Sequence, residues 1–145
     1  MSVRQSIIIA LADKLKTISI LNGYKTDLYE QAFPILKFWD EIQMQPAIFM
    51  SAGPESREYH PGGFKWGFLN VSLKIYVKGE DPAQMLENLL EDVEKVIDAN
   101  RGLVYNTTTN AQTVEISINS IITDEGLLNP YGVGEINIVV QYPVL

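Results

Sequence analysis

Residues 69–78, LNVSLKIYVK, constrain the fold more than any other stretch. Leu69, Val71, Leu73, Ile75 and Val77 hold the odd positions, and Asn70, Ser72, Lys74, Tyr76 and Lys78 the even ones. Successive side chains of a strand point to opposite faces, so this period of two predicts a sheet with one buried and one wet face. Gly79 ends the alternation and a different period begins. Asp81 stands at a cap position, Pro82 at the first helical position and Gln84 at the third, which is helix-start chemistry. Leu86, Leu89, Leu90, Val93 and Ile97 then recur at helical spacing, to about Asn100.

Ile7, Ile8, Leu11, Leu15 and Ile18 predict an N-terminal helix over about 3–19, with Ser2 and Gln5 as a capping box and Asn22-Gly23 as its stop. A short strand is expected near Tyr24–Tyr29, and PAIFMSAG, Pro46–Gly53, reads as another. Residues 53–65 read as a long Gly/Pro-rich loop, and 102–112 as polar loop. TVEISINSII and EINIVVQY alternate as two terminal strands. One apolar stripe per helix and one apolar face per strand are most simply buried in a single α+β domain over 1–145. Its mainly antiparallel sheet has four to five strands, with both helices packed on one face.

Composition narrows the function classes. The net charge of −7 disfavours tight binding to nucleic-acid phosphates, which rests on Lys and Arg. It suits a surface to which DNA must not stick. With no cysteine, disulfides, thiolate metal sites and thiol nucleophiles are ruled out, as fits folding in a reducing cytosol. Arg4 leads into a mixed helical pattern without a signal-peptide layout, and no apolar run is long enough to span a bilayer.

Catalytic chemistry is hard to assemble from these residues. The single histidine, His60, reads as an exposed residue of the 53–65 loop. Glu55, Arg57 and Glu58 are close by in sequence. GPESREYHPGG lacks the Lys-Ser/Thr ending of a phosphate loop. Glu87, Glu91, Glu94 and Asp98 share one helix stripe. The plain reading is a solvated face; a DNA-repelling lumen or a magnesium site are the sharper ones. No catalytic set, metal site or cofactor is expected.

Surfaces are the better prospect. Tyr59, Phe64, Trp66 and Phe68 surround the 53–65 stretch, and Phe33, Phe38 and Trp39 lie in the other irregular segment. Any one of these aromatics is ordinarily core. So many on two poorly patterned segments exceed what a small one-layer domain can bury, and aromatics favour interface cores. Tyr59, His60, Phe64, Trp66 and Phe68 are therefore candidate subunit contacts. The wet sheet face would show Asn70, Ser72, Lys74, Thr113, Glu115, Ser117, Glu135, Asn137 and Gln141. If it lines a lumen, Lys74, Glu115, Glu135 and Asn137 are the candidates.

Taken in order, VRQSIIIALADKL ending at NGYKTD, PAIFMSAGPE, NVSLKIYVKGEDP and MLENLLEDVEKVIDAN resemble the tail terminator proteins of long-tailed bacteriophages. The resemblance spans nearly the whole chain, and VKGEDP running into LLEDVEKVI is its most family-like piece. It implies a non-enzymatic virion protein, made in the host cytoplasm. Such a protein forms a homohexameric ring at the head-proximal end of the tail, stops tube polymerisation and offers a head-joining surface. Its partners would be its own copies, the tail tube protein and a head-completion or neck protein. DNA would pass through without specific binding, and no membrane is involved. A head–tail connector or neck protein, and a cytoplasmic binding module, stay open beside it.

Overall fold

The computed structural model describes the backbone of residues 1–145 and every side chain except that of Trp39. The Trp39 side chain, one of the aromatics singled out above, thus lies outside the described residues. The chain opens with α1 (Val3–Leu15), capped by the Ser2 hydroxyl accepting from the Gln5 N–H at 3.1 Å. This helix stops four residues short of the predicted end. The Thr17 hydroxyl turns back onto the Lys14 carbonyl at 2.7 Å, and Ser19 caps a separate 3-10 turn, Ile20–Asn22. Such local side-chain bonds compete with helix continuation.

Two strands, β1 (Ala32–Phe33) and β2 (Ala47–His60), precede the strand that anchored the sequence reading, β3 (Phe64–Lys78). Helix α2 (Pro82–Ala99) follows, with Asp81 accepting from the Gln84 N–H and Pro82 in the first turn, as its caps predict. A small hairpin of β4 (Val104–Asn106) and β5 (Ala111–Gln112) leads to the closing strands β6 (Glu115–Thr123) and β7 (Tyr131–Val144). The main sheet has the order β1-β2-β3-β7-β6. Only the short β1–β2 pair is parallel; β2–β3, β3–β7 and β6–β7 are antiparallel. The α+β architecture with a mainly antiparallel five-stranded sheet agrees with the sequence expectation.

The core lies between the two helices and one sheet face. Ile7, Leu11 and Leu15 of α1 and Leu86, Leu89 and Val93 of α2 pack with Leu69, Leu73 and Ile75 of β3 and Ile136, Ile138 and Val140 of β7. All are nearly fully buried, each worth about 1.5–3 kcal/mol of transfer free energy. On the other sheet face, Ala47, Phe49 and Tyr76 make a second small cluster under Phe33, Ile42 and Val133. There the irregular segment 34–46 covers one end of the sheet.

Three expectations are corrected. Residues 53–65 are not a loop: β2 and β3 pair down to His60 opposite Phe64, and only 61–63 turn. Gly62 and Gly63, at φ 86° and 79°, supply the positive-φ turn that a hairpin needs. Most side chains here are exposed, as in the run Ser56–Phe64, so pairing leaves no alternating hydrophobic signal. No strand forms over Tyr24–Tyr29; that backbone is held by Asp92 instead, as described below. And 102–112 contains β4 and β5, a pairing too short to leave a periodic pattern.

Candidate functional site

Strand parity fixes the outer face, opposite the helices. Ser72 pairs with Asn137 and Lys74 with Glu135 across β3 and β7. The Ser72 hydroxyl donates to Asn137 Oδ1 at 2.9 Å, and Asn137 Nδ2 donates to the Ser120 hydroxyl at 3.0 Å. Lys74 Nζ lies 2.8 Å from Glu135. Glu115 pairs with Gln141 in the ladder. The Arg101 guanidinium forks onto its two oxygens at 2.6 Å each. That hydrogen bond holds the Glu115 carboxyl below the usual carboxylate range. The four residues named for a lumen thus share one face, and Lys74, Glu115 and Glu135 each have a partner of opposite charge.

Thr113 does not join them. It is buried, its hydroxyl accepting from the Leu103 N–H at 2.8 Å and donating to the Arg101 carbonyl at 2.9 Å. It sits two residues before β6 begins, so strand parity does not apply.

The acid of the chain is concentrated on the other side. Residues 80–98 hold seven carboxylates and one lysine, a net −6 of the total −7. Within the predicted stripe, Glu91 meets Lys25 Nζ at 2.7 Å, which lowers the Glu91 carboxyl and raises the lysine. Among the described residues, no group of three or more His, Asp or Glu is placed to hold a metal ion. Asp92 faces inward from the same helix and is 0% exposed. Its oxygens accept from the Lys25 N–H at 3.0 and 3.1 Å, the Thr26 N–H at 2.9 Å and the Thr26 hydroxyl at 2.6 Å. One carboxylate therefore satisfies the backbone of the 24–26 turn and ties it to α2.

The hairpin of β2 and β3 splits the five predicted contact residues. His60, Phe64, Trp66 and Phe68 share the parity of the outer sheet face, whereas Tyr59 pairs with Lys65 on the opposite face. Phe64 and Trp66 stack edge-to-face with centroids 4.8 Å apart. Tyr59 is 72% exposed, under the Lys65 ammonium at 5.8 Å from its ring centre. His60 Nε2 lies 2.6 Å from Glu58, and both side chains are exposed.

Sequence reasoning missed what anchors the hairpin. The Glu55 side chain is only 5% exposed. It accepts from the Tyr142 hydroxyl at 2.7 Å, is paired with Arg57, and has Arg4 Nε at 3.9 Å. Arg4 also donates to the Gly53 carbonyl. Burial, then the Glu55 hydrogen bond, pushes the Tyr142 phenol up to about 12. Helix α1, the hairpin base and the end of β7 are thereby pinned together. The residues are 87 apart in the Tyr142–Glu55 pair, so no local pattern announces it; the inward parity of Tyr142 is the only hint.

Apart from the ends of the chain, exposed apolar side chains gather in a few places. Ile35, Leu36, Phe38 and Met44 lie on the irregular segment beside β1 and β2, and Val114, Ile121 and Ile122 on and just before β6, the far edge of the sheet. Ile20, Leu21 and Tyr29 form a third group near the 3-10 turn. The first two groups stand at opposite ends of the strand order.

A family model described as Bacteriophage Tail Tube Terminator Protein matches residues 1–144. The tail tube terminator protein p142 of Escherichia phage T5 is 33% identical over 149 aligned positions, covering 96% of this chain and 92% of that protein. Among solved structures, a chain of the virion of a native gene transfer agent particle superposes with a TM-score of 0.65. It covers 95% of each chain at 8% identity, a likeness of fold alone.

Proposed function

The chain belongs to the bacteriophage tail tube terminator family, and from that premise we propose a virion structural protein that closes the tail tube. Six copies form a ring on the head-proximal end of the tube, stop its growth and present the surface on which the head is joined. The observation that carries this reading is the family match across residues 1–144.

The surfaces are consistent with the role. A cyclic ring uses head-to-tail contacts between two different patches of one subunit. Apolar patches stand at the two ends of the strand order, as such contacts require. The outer sheet face, with Lys74 neutralised by Glu135 and amide and hydroxyl groups between, has little to hold a passing phosphate backbone. In this reading that face lines the lumen and the acidic α2 lies outside. The ring works by geometry and charge, and no step of catalysis is assigned to it.

The test is tube growth. Purified protein added to polymerising tail tube protein is expected to co-sediment with the tubes and cap their length at substoichiometric amounts. Tubes that grow unchanged, with the protein left in the supernatant, would refute the assignment.

A further inference from the structure

The main sheet has two free edges. β6 (Glu115–Thr123) pairs on one side only. On the far edge, β1 covers β2 only at Ile48 and Phe49, with one more bond from the Met50 N–H to the Ile35 carbonyl. From Ser51 to His60, no strand among the described residues lies on the outer side of β2. A monomer normally blunts such edges with lysine, proline or cover. β6 reads EISINSIIT, with no lysine, arginine or proline, and exposes Ile121 and Ile122.

We infer that β6 of one copy adds as a strand to the free edge of β2, Ser51–His60, of the next copy, so that the sheets join into one continuous wall. This rests on the ring reading above and names its joint.

Strand direction agrees. The three antiparallel pairings make β2 and β7 run one way and β3 and β6 the other. Rotation about an axis roughly along the strands preserves direction, so β6 meets the next β2 antiparallel. Four strands, an even number, let the alternation pass through every junction unbroken.

Stagger agrees as well. Along the ladders, Glu115 is level with Gln141, Phe68 and Ser56, and Thr123 with Gly134, Ile75 and Ile48. The free part of β2 is thus displaced toward the hairpin tip relative to β6. Closing a sheet on itself requires such an offset, which sets the strand tilt.

Side chains agree too. With β6 antiparallel along Ser51–His60, its Ile121–Ile122 end arrives at Met50–Ala52. There Ile35 and Leu36 stand exposed, lining a groove with Ser51 and Ala52. Apolar meets apolar, and both groups leave water.

The chain has no cysteine, so any disulfide is an engineered report. Ser117→Cys is combined in turn with Ser56→Cys, Glu58→Cys and His60→Cys; Ser117, Ser56, Glu58 and His60 are all exposed on the outer-face parity. The full chain is mildly oxidised, alone and bound to tail tubes, and its non-covalent mass is followed in parallel. The Ser117→Cys/Ser56→Cys combination, whose register brings Ile121 and Ile122 to Ala52 and Ser51, is expected to give a ladder of covalent oligomers that ends at the ring size, while none of the four single variants links. Ile122→Lys, at an exposed position, is expected to abolish the ring and leave the monomer's unfolding transition in place. Rings of normal mass in which no combination links, or which survive Ile122→Lys, overturn the joint and leave the ring standing. Single variants that form dimers overturn head-to-tail pairing. A chain that stays monomeric even on tubes overturns the ring and the joint together.

Discussion

Asp92→Asn keeps shape and volume but replaces one acceptor oxygen by an N–H₂ donor. In the native site every neighbour is a donor: the Lys25 N–H, the Thr26 N–H and the Thr26 hydroxyl. If the amide oxygen takes the place of Oδ2, it keeps both Thr26 bonds and the 3.1 Å bond from the Lys25 N–H, now without charge assistance, and the amide N–H₂ faces the Lys25 N–H with no acceptor. Hydrogen bonds to charged groups contribute about 1.5–3 kcal/mol and neutral ones about 0.5–1.5. Three weakened bonds and one stranded amide donor, at about 1–3 kcal/mol for the donor, exceed what the cheaper burial of a neutral amide returns. The net expectation is a loss of about 2–4 kcal/mol, overlapping the roughly 3–5 kcal/mol for breaking a buried charge pair. For a domain of this size that lowers Tm by roughly 5–15 °C. Urea unfolding at fixed protein concentration, with an unchanged m-value, measures it. Thr26→Val is the control: it removes only the 2.6 Å hydroxyl bond and is expected to cost about 1–2 kcal/mol. It should couple with Asp92→Asn in a double-mutant cycle. An Asp92→Asn protein within about 0.5 kcal/mol of the parent would show that the carboxylate does not hold the 24–26 turn.

Two further outcomes follow from the anchoring of the hairpin and the packing under α2. The Tyr142 phenol is raised from 10 to about 12, so the fold favours its neutral form. Its contribution is complete below pH 10 and is lost as pH rises from 10 to 12, on the order of 1–2 kcal/mol once solvent screening is allowed for; Tyr142→Phe should flatten that part of the stability–pH curve, and an unchanged curve would refute the raised phenol. At Gly132 a Cβ would lie 2.7 Å from Val77 Cγ2 and 2.9 Å from the Pro82 carbonyl oxygen, so Gly132→Ala is expected to destabilise by about 1–3 kcal/mol, read by calorimetry against Gly102→Ala, whose Cβ would meet nothing closer than 3.8 Å.

What the sequence made legible tracks burial on one side. β3, with its inward Leu69, Leu73 and Ile75, and α2, with caps at Asp81 and Pro82, are visible because a single face of each packs on the core. Lys74, Glu115, Glu135 and Asn137 could be placed on one face from parity alone. The hairpin beyond Gly53 could not, since its pairing is carried by backbone bonds between mostly exposed residues, and Gly62-Gly63 is its only local mark. The same blindness put Tyr59 with Trp66, although register sets them on opposite faces. The Arg4–Glu55–Tyr142 anchor draws on both ends of the chain, which no window reads. Asp92 differs from Glu91 only by helical phase: it lies three residues after Leu89 and four before Val96, on the apolar stripe. That phase was readable and marks the one carboxylate of the helix that is buried.

The central claim is a hollow collar of identical subunits at the end of a tail tube. Electron microscopy of tubes capped with the purified protein tests it most directly. The account predicts an extra ring of density at one end only, six-fold symmetric, with an open centre continuous with the tube's bore. Bare tube ends, or a blocked plug without rotational symmetry, would contradict it.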